Sequence, residues 1–390
     1  MPELTLTAID SLSSIAEADW NALRQHDYPF LRHDFLLGLE NTGCTTAHSG
    51  WQPQHLLLQS GDAPVAAVPC YLKSHSYGEY VFDWAWADAW RRVGLDYYPK
   101  LVTAIPFTPA SGPRLLQQTG LDTAGTWESL LRGVQELAQR RGLSSWHILF
   151  PEPDAAEALE SLGLHTRHAV QFHWFNRDYR DFDDFLETFS SRKRKALRRE
   201  RRRVAEQGIR LRTLTGSDIS ATDWQTFHRF YQLTYAKRSG HGGYLSREFF
   251  THTAAGLGDQ VIMVLAEQGG RDVAGALYFR SADTLFGRYW GCEEELDCLH
   301  FEACYYRGIE YCIEQGLRRF DPGAQGEHKI QRGFEPTRTL SSHWIAHPEL
   351  SRAVGEFTRE EQRHVEAYRR EAATLLPFRI EADSGQRGTA

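Results

Sequence analysis

The sequence contains no apolar run of about 18 residues, the length that a bilayer-spanning helix needs. Its mean hydropathy is −0.50. It also lacks a Cys-x-x-Cys pair. Cys44 and Cys70 lie far from Cys292, Cys298, Cys304 and Cys312, so a cysteine-ligated zinc site is not expected and no metal ligand is assigned. The opening Met1-Pro2-Glu3-Leu4-Thr5 has neither a basic region nor an apolar core. No signal peptide is visible there, the thiols read as reduced, and a cytoplasmic location is expected. A G-x-S-x-G elbow, a P-loop and a dinucleotide fingerprint are all missing.

What is present is ordinary globular composition in 390 residues: 41% hydrophobic, 12% aromatic and 24% charged. That length suits two or three domains. The formal charge of −7 argues against a general nucleic-acid coat, but it hides an asymmetry. Arg192 to Arg203 holds nine Lys/Arg and one Glu, a local +8, so the remaining 378 residues sum to −15.

A weak internal repeat organises the chain. Gly163 to His173 and Gly333 to His343 share a spacing of ten, and Gly142-Leu143 matches Gly316-Leu317. Upstream, Phe30-Leu31-Arg32-His33-Asp34-Phe35 reads like Tyr244-Leu245-Ser246-Arg247-Glu248-Phe249. The offset falls from 214 (30 to 244) to about 174 (142 to 316), so the first half carries an extra segment of some forty residues. The expected division is 1–176 with the extra segment near 84–120, 177–378 with a basic helix at 190–207, and a disordered tail at 379–390.

Each copy reads as α+β. In the second, Trp224, Phe227, Tyr231 and Tyr235 mark a helix, and Ser246 is an N-cap candidate for the next. Runs at Val261–Ala266, Val273–Phe279 and Thr284–Trp290 read as a meander turned at Gly269-Gly270 and Ala282-Asp283. A helix over about 300–315 is stopped by Gly316, strands follow at 318–321 and 340–345, and an amphipathic helix spans about 348–375.

The runs Phe286-Gly287-Arg288-Tyr289-Trp290-Gly291, Leu299-His300-Phe301-Glu302 and Gly323-Ala324-Gln325-Gly326-Glu327-His328-Lys329, with Pro106 to Leu116, resemble a FemAB-like family of the N-acetyltransferase superfamily. The resemblance covers about residues 4–372. It implies tandem acetyltransferase-type domains with mixed, mainly antiparallel sheets, and acyl or aminoacyl transfer to an amine, peptidoglycan precursors included. Fem-type ligases carry a lysine where Gln331 stands here; Lys329 or Arg332 is the substitute.

Amide-forming transfer needs a donor site, a base and a group that stabilises the oxyanion. Glu327 or His328 is the candidate base, Lys329 polarises the acyl carbonyl, and Glu302 is a further base or amine-binding carboxylate. Arg288, Trp290, His300, Gln325, Gln331, Arg332 and Arg114 are candidate substrate-binding residues. Arg288 needs a partner, for which Glu302 or Glu327 is expected.

For the donor, the loop that binds CoA pyrophosphate in this superfamily corresponds to Cys292-Glu293-Glu294-Glu295-Leu296-Asp297-Cys298, which has four acids and no glycine. The polyanion site is instead assigned to Arg192, Lys193, Arg194, Lys195, Arg198, Arg199 and Arg202; the alternative is a solvated helix paired with the acidic remainder. The expected donor is aminoacyl-tRNA or acyl-CoA, with no tightly bound cofactor, and the acceptor is a small-molecule or peptide amine. Rival readings are an acetyl-CoA-dependent N-acetyltransferase and a non-catalytic binding protein for a cell-wall precursor or RNA.

Overall fold

The computed structural model describes residues 4–240, 242–324 and 326–379. Of the expected tail at 379–390, residues 380–390 lie outside the described residues, as does the substrate candidate Gln325; Arg379 is described and its N–H donates to the Thr188 carbonyl at 2.8 Å. Helices and mixed sheets alternate as the sequence implies. The first half contributes β1 (Leu4–Ile9), β2 (Trp51–Pro53), β3 (His55–Ser60), β4 (Ala63–Val68), β5 (Cys70–Lys73), β6 (Lys100–Thr103), β7 (Leu116–Gln117), β8 (Ser145–Leu149) and β9 (His165–Phe175). The second contributes β10 (Ile209–Thr215), β11 (Val261–Gln268), β12 (Arg271–Arg280), β13 (Thr284–Cys292), β14 (Arg319–Asp321) and β15 (Glu335–Ile345).

β1, β3, β4 and β7 form a four-stranded sheet. The others join in one eleven-stranded sheet, ordered β10-β11-β12-β13-β14-β9-β15-β8-β6-β5-β2. The two halves therefore exchange their last strands: β9 pairs with β14, and β15 with β8. β9 and β15 also pair with each other, antiparallel, from Glu335↔His173 to His343↔His165. The internal repeat explains this geometry. β9 starts at 165 and β15 at 335, an offset of 170. Ala169 thus pairs with its own counterpart, Thr339, and a pseudo-two-fold axis passes between them.

The first half's extra length falls in two places. Between β12 and β13 lie only residues 281–283, whereas 74–99 separate β5 from β6 and carry helix Trp84–Arg92. Between β6 and helix Thr123–Arg141 lie 104–122, against 293–298 in the second half. The 74–99 segment is anchored by apolar packing of Trp86, Trp90 and Tyr97 on Ile345 and Val354. It is also anchored by a buried ionic cluster. Lys100 Nζ donates to Ser76 Oγ and Glu79 Oε2, both at 2.9 Å, and to Asp83. Burial works against the Asp83 carboxylate, but Lys100 outweighs it and holds the group at about 2.

Helix Ser191–Glu206 matches the expected basic helix, held to the body by buried Leu197 and Val204. No helix among the described residues is long and apolar enough to cross a membrane. Lys100→Met leaves Asp83 buried without its cation and Glu79 with only Lys73, at 4.0 Å. It is expected to destabilise the chain by about 3–5 kcal/mol in urea unfolding, and a loss under about 1 kcal/mol would show that the cluster does not anchor the segment.

Candidate active site in the second half

β13 and β14 run parallel and pair only over Thr284–Phe286 and Arg319–Asp321. Beyond that they separate, and a cavity of about 770 Å³ opens between them. A bulge in β13 opposite Leu277 and Tyr278 leaves Arg288 as the extra residue. The period-two expectation that Arg288 and Trp290 share a face fails at that bulge. The Arg288 side chain turns to Asp321 of β14, at 2.8 Å, and both are almost wholly buried. This corrects the expected pairing with Glu302 or Glu327. Burial raises the Asp321 carboxyl, but Arg288, His173, the Gly323 N–H and Arg319 together outweigh it and the net shift is downward.

Asp321 also accepts from Gly323 N at 2.9 Å, which fixes the start of the loop. Gly323 (φ 91) and Gly326 (φ 104) sit where side chains are strained. Lys329 Nζ donates to the Gly323 carbonyl at 2.7 Å. Lys329 is 2% exposed, and burial pushes its ammonium down to about 8. Helix Ala221–Ser239 forms the opposite wall with Tyr235 and Arg238. Gly291 makes that approach feasible: a Cβ there would sit 2.2 Å from the Phe230 backbone.

Two histidines complete the cavity. His300 packs edge-on against Trp290, with ring centroids 5.3 Å apart, and burial followed by His328 depresses it to about 3. His328 Nε2 bonds Tyr305 OH at 2.9 Å; burial, then Lys329 and Arg332, hold it near 4. Both are neutral at pH 7. Among the described residues no acidic side chain lines the cavity, and no group of His, Cys, Asp and Glu is arranged to hold a metal ion.

The structure thus brings together Lys329, His328, His300, Trp290 and Arg288 from the sequence candidates. It does not bring Glu302 there. In the turn of helix that follows β13, Phe301 and Tyr305 face the cavity while Glu302 and Tyr306 face the basic helix. Glu302 accepts from Arg201 through both oxygens, at 2.9 and 3.1 Å. Glu327 is exposed and accepts from Tyr368 OH at 2.6 Å. Arg332 is bound to Glu200 at 2.9 Å and lies over the Phe301 ring. Gln331 accepts from Lys193. Both residues line a separate surface cavity of about 850 Å³ against the basic helix. A single 3-10 turn, Glu327–Arg332, divides the two cavities.

Arg114 holds no ligand. It is 1% exposed and spends its donors on the carbonyls of Leu149, Ala110, Gly112 and Pro113. Its position explains why. Strand pairing makes His147 the counterpart of Asp321, His343 that of His173, and Ala104 that of Arg288. Where the second half opens a cleft beyond these positions, the first half folds Pro106–Arg114 back onto its own β8. The second half's Asp321 faces His173 at 3.8 Å; in the first half His147 and His343 bond directly at 2.6 Å. Among the described residues, the second half's cleft is open and its first-half equivalent is sealed.

Sequence reading missed Tyr80, Tyr305 and His173, and gave Asp321, the first residue of the candidate loop, no role. Tyr80 comes from the first half and closes the cavity rim beside Tyr235. His173 was marked only as a repeat position. The acidic loop after β13 is partly neutralised: Glu293 pairs with Arg229, Glu295 with Lys237 at 3.6 Å, and Asp297 with Arg203 at 2.7 Å. Because Glu302 faces away from the cavity, Glu302→Gln is expected to cost about 3 kcal/mol of stability and to leave turnover within about twofold. A selective hundredfold loss of turnover in a stable variant would return Glu302 to the site.

Comparison with known proteins fits this architecture. The sequence matches the family described as peptidoglycan biosynthesis/recognition, FemAB-like, over residues 11–380. No curated protein matches it in sequence. Among solved structures, it resembles the C-terminal domain of a putative lysylphosphatidylglycerol synthetase from Agrobacterium fabrum. The identity is 9% over 90% of this chain and 97% of that one, with a TM-score of 0.53. It also resembles FemX, at 12% identity over 87% and 98% of the two chains with a TM-score of 0.51. A conserved protein of unknown function from Bacteroides thetaiotaomicron is similar at 13% identity over 87% and 99%, with a TM-score of 0.52. At such identities these are likenesses of fold. The family match across nearly the whole chain is the stronger finding: this chain belongs to the FemAB-like family of peptidoglycan biosynthesis and recognition.

Proposed function

We propose that the chain transfers an acyl or aminoacyl group from a phosphate-bearing activated donor to an amine held in the cleft between β13 and β14. The observation that carries this reading is Lys329, a buried ammonium facing a cavity lined by no acid among the described residues. In such a place a cation is effective against a developing oxyanion, because little else screens it.

The amine nitrogen attacks the ester or thioester carbon. Lys329 donates to the carbonyl oxygen as it gains charge. Neutral His328, positioned by Tyr305, accepts the proton that the attacking nitrogen sheds. With its basicity held near 4, His328 acts as a relay, and the proton ends on the leaving oxygen or sulfur.

The donor's phosphates are assigned to the basic helix. Arg192, Arg194, Lys195, Arg199 and Arg202 have no acidic partner among the described residues, whereas Arg198, Arg201 and Arg203 are ion-paired. The bland reading of this helix thus holds for three of its arginines; with Lys193, which bonds only the neutral Gln331, six cations remain for a polyanion. Aminoacyl-tRNA and a CoA thioester both fit that chemistry. An amine-bearing peptidoglycan precursor is the acceptor that the family suggests.

If the Lys329 ammonium is the working form, kcat/KM falls as pH rises through about 8, since the group then loses its proton. Lys329→Arg should move that alkaline limb upward, and Lys329→Met should cut kcat by about 100-fold or more. An unmoved limb in the arginine variant removes Lys329 from this role. Changing Arg192, Lys195 and Arg199 together to Ala should raise the donor KM and flatten its salt dependence with kcat preserved. An unchanged KM would place the phosphates elsewhere.

A further inference from the structure

The reaction cleft continues past Tyr80 and Ala324. Beyond them a second cavity of about 460 Å³ runs across β9 and β15 near the pseudo-two-fold axis, bordered by helix Pro348–Thr374. Its walls include Val81, Phe82, Phe150, Ala169, Leu340 and Val365. Tyr80 and Ala324 line both cavities. Ala324 directly follows Gly323, whose carbonyl binds Lys329 Nζ at 2.7 Å, so the groove's inner end lies beside the reactive ammonium.

The outer mouth is also apolar. Phe82 is 57% exposed and Tyr368 36%. Phe357, 40% exposed, is joined to the groove through Arg167, whose guanidinium lies 5.8 Å from that ring's centre. Single exposed aromatics need no explanation, but several around one apolar groove mark a binding surface. On the cleft's other flank, across the 327–332 turn, stand the unpaired cations of the basic helix.

An acyl ester has two arms at its carbonyl carbon: the leaving group and the acyl chain. The cleft has two flanks, one cationic and one mainly apolar, whose remaining lining includes the Arg167–Glu361 ion pair, closed on itself at 2.7 Å. We infer that the group transferred is a long, unbranched acyl chain that lies in this groove, with Tyr80 as the residue it must pass, so that the donor is a fatty-acyl thioester. This rests on the acyl-transfer reading above and narrows it. The acceptor nitrogen bonds to the carbonyl carbon, the carbon–sulfur bond breaks, and the nitrogen's proton leaves with the thiol, so no redox partner is required.

The test is equilibrium binding of acetyl-, octanoyl- and dodecanoyl-CoA, with free dodecanoate and dodecylamine as chain-only probes. Wild type is compared with Ala169→Phe and Val365→Trp, two ways of filling the groove, each checked for a native melting transition. Affinity should rise about fourfold per added methylene until the groove is full. Dodecanoate should bind, and each variant should weaken dodecanoyl-CoA at least tenfold while leaving acetyl-CoA unchanged. A flat chain-length series overturns the inference. So do groove variants that weaken only dodecylamine, since the chain then belongs to the acceptor. Turnover of short acyl or aminoacyl donors alongside a flat series sinks the inference but leaves the transferase reading standing. Chain binding with no transfer from any donor sinks both.

Discussion

The antiparallel pairing of β9 with β15 is the constraint on which the rest of the molecule depends. Each strand ends one half of a duplicated chain, and each completes the sheet of the other half. Their pairing about Ala169 and Thr339 joins both sheets into one and fixes where everything beyond β14 lies. Asp321, at the end of β14, faces His173 from the other half. The anchor of the lysine-bearing loop is therefore built by both copies, and neither half holds a complete site.

Duplication with exchange would by itself give two equivalent clefts, yet among the described residues only the second half's is open. In the second half a short turn between β12 and β13 and an opening after Phe286 leave room beside Arg288. In the first, Pro106–Arg114 fills the equivalent space, with Arg114 saturated by backbone carbonyls. Burying an arginine is costly unless its donors are satisfied, and here four hydrogen-bonded carbonyls meet that requirement. The 74–99 segment reaches across to supply Tyr80 to the second half's cleft and Phe82 to the groove beside it. The first half is thus wall and brace for the second.

Much of this was legible in the sequence. The matched spacing from Gly163 to His173 and from Gly333 to His343 foretold the repeat, and hydrophobic periodicity foretold the meander and its flanking helices. The loop of Gly323 to Lys329 was singled out for its two close glycines, and the structure sets its His328 and Lys329 in the cavity wall. Strand exchange was not legible, since identical copies offer identical edges and only the folded chain chooses between them. Glu302 was misjudged because its partner, Arg201, lies about a hundred residues away; helical phase, with Phe301 and Tyr305 on one face and Tyr306 on Glu302's face, was the signal available. The Arg288 bulge defeated a period-two argument that holds only for regular strands. For the basic helix the charge count was right, but the division between paired and unpaired arginines needed the acids of distant segments.

The most direct test of the account is to divide the chain between β9 and helix Phe182–Glu187, and to express 1–178 and 179–390 separately and together. Shared strands and a shared site predict that neither half alone shows a cooperative unfolding transition or binds a donor. Co-expression should restore a stoichiometric complex with both properties. A second half that folds cooperatively by itself and binds donor with the affinity of the intact chain would contradict the claim that the site is a joint product of the two copies.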